Sequence, residues 1–273
     1  MQLTVGDWQE TDRRIGANET VFAVGDVHGC LDQLEALEAV IARRARDGRG
    51  NVSVVYLGDY IDRGPDSIGV LDHLHARLRG DGVVRRLALA GNHDEYLRLV
   101  VGDRDLDFEF VRMWLSNGGM TTLAELDVPW YASDACDLTA WRARVRHALG
   151  PQRCELLNGF EYFAEIGDYV FVHAGIVPGI APVNNEVADL LLIREEFLEA
   201  QPAWPHDFTV VHGHTPSAPG DHGHRVAVDS GAFFTGALTA VEIEDRRFRF
   251  VTAATEPASE WADAAAAMFA EAV

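Results

Sequence analysis

Three times in its first hundred residues the chain drives a short apolar run into a glycine followed by Asp or Asn, and then turns helical. Residues 20–26 (T-V-F-A-V-G-D) lead to Leu31, Leu34, Leu37 and Ile41 on one helical face. Residues 51–59 lead to Ile68, Leu71, Leu74 and Leu78, and residues 85–90 run into G-N-H-D before a short helix from Glu95. Three successive βα units predict a parallel sheet with helices packed on its faces. In such sheets ligands sit at the carboxyl ends of the strands, where all three polar clusters fall, so the clusters are expected to converge. The middle unit is the most constraining, because residues 54–64 (V-V-Y-L-G-D-Y-I-D-R-G) bring Asp59, Asp62 and Arg63 to the end of a core strand. Charges there are costly unless paired or bound to metal. A solvated loop with an Asp–Arg pair is the alternative for this stretch taken alone.

Residues 103–159 read differently. Trp114, Leu115, Leu123, Leu126, Trp141, Val145 and Leu149 recur at roughly helical intervals, with breaks at Gly118-Gly119 and at D-V-P, so this is a helical insertion. Strand patterns return at 161–166, 169–173, 208–212, 225–229, 238–244 and 247–252, and their close spacing suggests a second, mixed or antiparallel sheet packed on the first. The whole, 1–273, is expected to be one domain with the 103–159 insertion and an alanine-rich, acidic tail at 256–273.

The formal charge of −20 argues against general affinity for nucleic acid or anionic membrane, although bound metal ions would still admit a small anionic substrate. No apolar run approaches the roughly 18 residues of a membrane span. The first sixteen residues lack the charged flank and apolar centre of a secretory signal, so a cytoplasmic location is expected. Cys30, Cys136 and Cys154 are an odd number without zinc-ligand spacing and read as reduced, structural thiols.

The polar residues at the expected strand ends are Asp26 and His28; Asp59, Asp62 and Arg63; Asn92, His93 and Asp94; then His173 (V-H-A-G) and His214 (V-H-G-H-T-P). Carboxylate, imidazole and amide ligands suit Mn²⁺, Fe²⁺ or Zn²⁺, and six or more such groups exceed what one ion needs. Two ions about 3.5–4 Å apart would clamp the attacking and leaving oxygens of a displacement at phosphorus. Taken singly the residues have plainer readings. His173 could be a core histidine bonded to backbone, Asp94 a helix cap ahead of a site support, Asn117 a loop residue rather than part of a lid. His212 reads as a supporting residue, and His222 and His224 as a solvated loop.

The ordered blocks G-D-x-H-G, G-D-x-x-D-R-G, G-N-H-[ED], H-A-G and G-H-T, running from Asp26 to His214, resemble the metallophosphoesterases of the phosphoprotein phosphatase type, especially the bacterial and phage Ser/Thr protein phosphatases. The resemblance implies a calcineurin-like α/β fold: two mixed sheets packed face to face with helices outside, in four α/β/β/α layers. It implies that Asp26 and His28 bind one metal, that Asp59 bridges, and that Asn92, His173 and His214 complete the second ion, with manganese first and iron or zinc as alternatives. It makes His93 the general acid held by Asp62, Arg63 a phosphate ligand, Arg194 (in L-L-L-I-R-E-E-F-L) a second one on a looser match, and a metal-bridging hydroxide the nucleophile. The implied substrate is a phosphorylated protein or small phosphoester, with Ser/Thr phosphoprotein phosphatase activity leading. The alternative is symmetrical hydrolysis of diadenosine tetraphosphate, but in those relatives the last histidine is usually followed by Trp, where this chain has Thr215. A catalytically silent metal-binding module is the third possibility; loss of the acid would mark it, and His93 and Asp62 are both present.

Overall fold

The structure is a computed structural model describing residues 1–48, 50–79 and 84–256. The expected tail therefore lies, beyond Glu256, outside the described residues. In chain order the elements are β1 (Gln2–Val5), β2 (Gln9–Glu10), β3 (Glu19–Val24), α1 (Leu31–Arg46), β4 (Asn51–Tyr56), α2 (Ser67–Leu78), β5 (Val84–Ala88) and α3 (Asn92–Val101). There follow α4 (Phe108–Trp114), a π-helical turn (Leu115–Gly119), α5 (Met120–Glu125) and α6 (Leu138–Asn158, broken at Gly150 before Pro151). The second half holds β6 (Phe163–Ile166), β7 (Tyr169–Val172), α7 (Val187–Leu192), α8 (Glu195–Leu198), β8 (Thr209–His212), β9 (Gly220–Asp221), β10 (Arg225–Ala227), α9 (Ala232–Thr235), β11 (Ala237–Glu244) and β12 (Arg247–Ala254).

The three βα units form a parallel β3-β4-β5 core, and its register keeps the strand ends in step: Val24 lies opposite Tyr56, and Tyr56 opposite Ala88. The polar clusters that follow each strand therefore emerge side by side. The first sheet has the order β1-β12-β11-β3-β4-β5, with β2 paired to β12; the second has the order β6-β7-β8-β10-β9. One expectation needs correcting here. β11 and β12 do not join the second sheet; β11 runs antiparallel to β3 and carries β12 with it. Ala237–Glu244 is buried along almost its whole length, as suits a strand covered on both faces.

Side chains alternate between faces with the period of two that strand geometry imposes. Val21, Ala23, Val55, Leu57, Val241 and Ile243 point at the second sheet, where they pack with Tyr169, Phe171, Val211 and Val226. The opposite face, through Phe22, Val24, Val54 and Tyr56, packs on Leu34, Leu37 and Ile41 of α1 and Val70, Leu71 and Leu74 of α2. On the far side of the second sheet, Val170, Val172 and Val210 are covered by Leu190 of α7 and Phe197 of α8. Helix, sheet, sheet, helix is the resulting order. Among the described residues no helix is long and apolar enough to cross a membrane. All three cysteines are free; Cys30 is buried and Cys154 half-buried, but Cys136 is exposed and so contributes nothing to the core.

The contact between the sheets fixes the strand ends relative to one another, and Phe171 is fully buried at its centre. Phe171→Ala should lower unfolding free energy by about 3–5 kcal/mol, the cost of deleting a buried phenyl ring. Urea denaturation measures this, and a loss below about 1 kcal/mol would contradict a tightly packed interface between the sheets.

Candidate active site

The loops leaving β3, β4, β5, β7 and β8 meet at one end of the two sheets, and glycines let them come close enough. A Cβ at Gly91 would collide with the backbone and carboxylate of Asp59, and one at Gly213 would collide with the carboxylate of Asp26. These glycines explain why Asn92 and His214 each follow one. The local backbone is also strained: His28, Asp59, Asp62, Arg63 and His214 all have positive φ, between 42° and 71°. Such conformations cost about 1–3 kcal/mol each and persist where surrounding structure imposes them.

Asp59 lies at the middle of the cluster. Its Oδ2 is 3.4 Å from His28 Nε2 and 4.0 Å from His93 Nε2, and its Oδ1 is 3.5 Å from His173 Nε2. The backbone fixes two of the imidazoles: His28 Nδ1 lies 2.7 Å from the carbonyl of Ile61 and His173 Nδ1 lies 2.9 Å from that of Leu57. Both ring nitrogens must donate there, which leaves each Nε2 lone pair facing inward. Burial, helped by His93 and Arg63 and opposed by Asp59, pushes His28 down to about 3; burial and the neighbouring His173 push His214 down to about 2. These rings are neutral near pH 7, the form in which imidazole binds metal.

The arrangement fits divalent cations. His214 Nε2 is buried without a hydrogen-bond partner, and His173 Nε2 faces Asn92 Oδ1, a second acceptor, at 3.1 Å. Two sets of potential ligand atoms lie within 4.8 Å of one another: His28, Asp59 and His93, and Asp59, His173 and His214. Acceptors converging in this way are what a cation site requires, with the Arg63 guanidinium reaching in at 3.1 Å from His28 Nε2. Asp26 stands beside both sets. Its two oxygens accept the His214 N–H at 3.1 Å, and burial together with Asp229 and Asp59 raises its pKa well above the usual carboxylate value.

His93 has a different environment on its other nitrogen. His93 Nδ1 donates to Asp62 Oδ2 at 2.7 Å, and the same carboxylate accepts from Trp114 Nε1 (2.8 Å) and from the Thr122 hydroxyl (2.5 Å). Asp94 does both jobs open to it. From the first turn of α3 it caps the Gly91 N–H, and it also accepts the N–H groups of Asp59 and Tyr60, pinning the loop that carries the central carboxylate. Arg63 donates through its side chain toward His28 Nε2 (3.1 Å) and to the Asn117 carbonyl (3.3 Å), and lies 5.0 Å over the Phe233 ring. Arg194, between α7 and α8, bonds the Thr215 hydroxyl at 3.0 Å.

A cavity of about 160 Å³ lies over the cluster, lined among others by Asp59, Asn92, His93, His214 and the two arginines. A groove of about 950 Å³ opens beside it and shares Arg63 and Asn117.

The ten strand-end residues singled out in the sequence, and Arg194 with them, thus meet at one place. Others went unremarked. Asp229 is buried against Asp26 at the end of β10, and its motif, V-A-V-D-S-G, repeats the apolar-run-to-Asp pattern that could have flagged it. Trp114 and Thr122 sit within helical patterning and gave no such signal. His212 is set apart from the metal cluster: it bonds the Gly213 carbonyl (2.9 Å) and Arg225 (3.2 Å), steadying the loop before His214. His224 is not solvated; it is buried, bonded to the Phe197 carbonyl and packed on the Phe197 and Trp204 rings.

Comparison with known proteins agrees with this geometry. The asymmetrical bis(5'-nucleosyl)-tetraphosphatase PrpE of Oceanobacillus iheyensis is 26% identical over 247 residues, spanning 82% of this chain and 89% of that protein. Serine/threonine-protein phosphatase 1 of Salmonella typhimurium is 28% identical over 230 residues, spanning 82% and 92%. A crystal structure described as that of a candidate diadenosine tetraphosphatase shares the fold with a TM-score of 0.53 at 21% identity, over 84% of this chain and 94% of that one. The model of the calcineurin-like phosphoesterases matches residues 19–236, from the first residue of β3 to the turn before β11. Since every strand-end cluster falls within that match, the chain belongs to the calcineurin-like phosphoesterase family and is a metallophosphoesterase.

Proposed function

We propose that this enzyme hydrolyses phosphomonoesters, with phosphoserine and phosphothreonine residues of proteins as its leading substrates. The observation that carries this reading is the supply of positive charge. The small cavity has two arginines, Arg63 and Arg194, enough to grip one phosphoryl group, and the groove beside it adds no further cation. Its lining among the described residues pairs Arg63 with Glu125 and Glu256. A peptide flanking the phosphorylated residue can lie in such a groove, whereas a chain of phosphates would meet net negative charge.

Asp26, His28 and Asp59 would hold one divalent ion, and Asp59, Asn92, His173 and His214 a second, with Mn²⁺ first and iron or zinc as alternatives. When bound, the ions would supply a water of lowered pKa and neutralise charge developing on the phosphoryl oxygens. The chain's own groups do the rest. The planar guanidinium of Arg63 orients the phosphoryl oxygens and Arg194 holds them from the Thr215 side. As the bond from phosphorus to the leaving oxygen breaks, protonated His93 gives that oxygen its Nε2 proton, while Asp62 keeps hold of Nδ1.

The names of the relatives favour a second reading, hydrolysis of dinucleoside tetraphosphates, symmetrical or asymmetrical. A substrate panel separates the two. With Mn²⁺ saturating, kcat/KM should be higher for at least one phosphoserine or phosphothreonine peptide than for diadenosine tetraphosphate. The reverse order would transfer the assignment, and the products, two ADP or ATP plus AMP, would say which bond is cut.

Metal binding should also be pH-dependent in a defined direction. Burial and the Asp59 charge raise Asp229 to about 6, and burial with Asp229 and Asp59 raises Asp26 in the same direction, so the metal-free pair takes up a proton as pH falls toward about 6, and a cation must displace it. Apparent Mn²⁺ affinity should therefore fall as pH drops from about 7 to about 5, through the Asp229 value of about 6, with proton release visible by calorimetry in buffers of different ionisation enthalpy. His28 and His214 contribute none, because both are already neutral. A flat affinity across that window would be inconsistent with a shared proton at this pair.

A further inference from the structure

The helical stretch between α3 and β6 carries no motif of its own, yet residues 114–122 touch both the Asp62–His93 pair and Arg63. Trp114 Nε1–H donates to Asp62 Oδ2 at 2.8 Å, the oxygen that lies 2.7 Å from His93 Nδ1. The Thr122 hydroxyl donates to Oδ1 at 2.5 Å and lies 3.1 Å from the Asp62 N–H, which Ser67 Oγ also accepts at 3.1 Å. Asp62, Trp114 and Thr122 are all fully buried. Between them the π-helical turn passes over the loop, its Asn117 and Gly118 carbonyls accepting from Arg63. The turn cannot back away from the indole: Gly119 lies so close to the Trp114 ring that a Cβ would overlap it, and Trp141 packs nearby.

This donor set has a mechanical consequence. Apart from His93, no side-chain cation is among these contacts of Asp62, a buried carboxylate, and each of its oxygens has its own partner. Turning the carboxylate about its Cβ–Cγ bond would break contacts on both oxygens at once, so the plane of the group, and with it the axis of the His93 ring, is set by Trp114 and Thr122. Hydrogen bonds to a charged acceptor are the strong and directional ones. Asp62 also sits at a φ of 71°, a conformation that its surroundings must enforce.

We propose that Trp114 and Thr122 are positioning residues for proton transfer: they lock Asp62 so that His93 Nε2 is aimed at the leaving oxygen. This rests on the reading of His93 as the general acid. Neither residue touches the substrate cavity. Their effect passes through Asp62, and it should be felt where the leaving oxygen needs a proton and hardly at all where it does not.

The test uses the Mn²⁺-loaded enzyme with phosphoserine, whose alkoxide leaves poorly, and p-nitrophenyl phosphate, whose phenolate leaves readily. Thr122→Val keeps the volume and removes the hydroxyl; Thr122→Ser restores it; Trp114→Phe removes the other donor and serves if Thr122→Val does not fold. His93→Asn is measured in parallel. For Thr122→Val, kcat on phosphoserine should fall about ten- to hundredfold, the scale of a hydrogen bond to a charged group, with a loss on p-nitrophenyl phosphate at least about fivefold smaller and unchanged metal content. Thr122→Ser should recover most of the loss, and His93→Asn should give the same selectivity with a larger effect, about 10²–10⁴-fold. If His93→Asn is selective but both Thr122→Val and Trp114→Phe lose equally on the two substrates, or lose metal, the positioning role is overturned. If His93→Asn itself is unselective, the acid reading fails and this inference fails with it.

Discussion

Five carboxylates, Asp26, Asp59, Asp62, Asp94 and Asp229, lie buried together at one end of two apolar sheets, and the surrounding structure is arranged to hold them there. Uncompensated charges in such a place would cost several kcal/mol each or be discharged by protonation. The protein meets this with backbone N–H groups, which carry no side-chain entropy and are placed by the strand ends. Asp94 takes three of them, Asp59 takes that of His93, Asp26 that of His214 and Asp229 that of Gly231. The glycines and positive-φ residues follow from this need. A backbone amide can reach a carboxylate only if the chain approaches closely and turns sharply.

The same burial yields two kinds of polar group, told apart by how fully the protein satisfies them. Asp62 and Asp94 have their donors, and their geometry is closed. Asp59 and the inward Nε2 atoms of His173 and His214 keep acceptor capacity that no protein donor fills among the described residues, His28 Nε2 faces the Arg63 guanidinium, and His214 Nε2 has no partner at all. Family membership gives the reason, since a metallophosphoesterase needs convergent acceptors for divalent ions. The neutral imidazoles and the raised carboxyls of Asp26 and Asp229 are the metal-free side of that balance.

Charge at long range works differently from charge at the site. A formal charge of −20 sets a field that repels polyanions, while Arg63 and Arg194 present local positive charge at the mouth of a small cavity. The helical stretch between α3 and β6 shapes the groove through Ser116, Asn117 and Thr121 and holds the Asp62–His93 pair through Trp114 and Thr122, so one segment both borders the groove and supports that pair.

Much of this was legible in the sequence, because the strand-to-glycine-to-acid pattern of residues 20–26, 51–59 and 85–90 is local and repeats. It determined the parallel β3-β4-β5 core, and with H-A-G and G-H-T it named the ten residues that meet at the site. It put β11 and β12 in the wrong sheet, since a period of two looks the same in either, and it misplaced His224, whose G-D-H-G-H setting reads as solvated. Nor did it reveal Trp114 and Thr122. Apolar periodicity is written within a few residues, but a hydrogen bond acts over about 3 Å, and the donors that hold Asp62 stand 52 and 60 residues away from it. Which donor meets which carboxylate was therefore decided only when the helices between α3 and β6 packed over the strand ends.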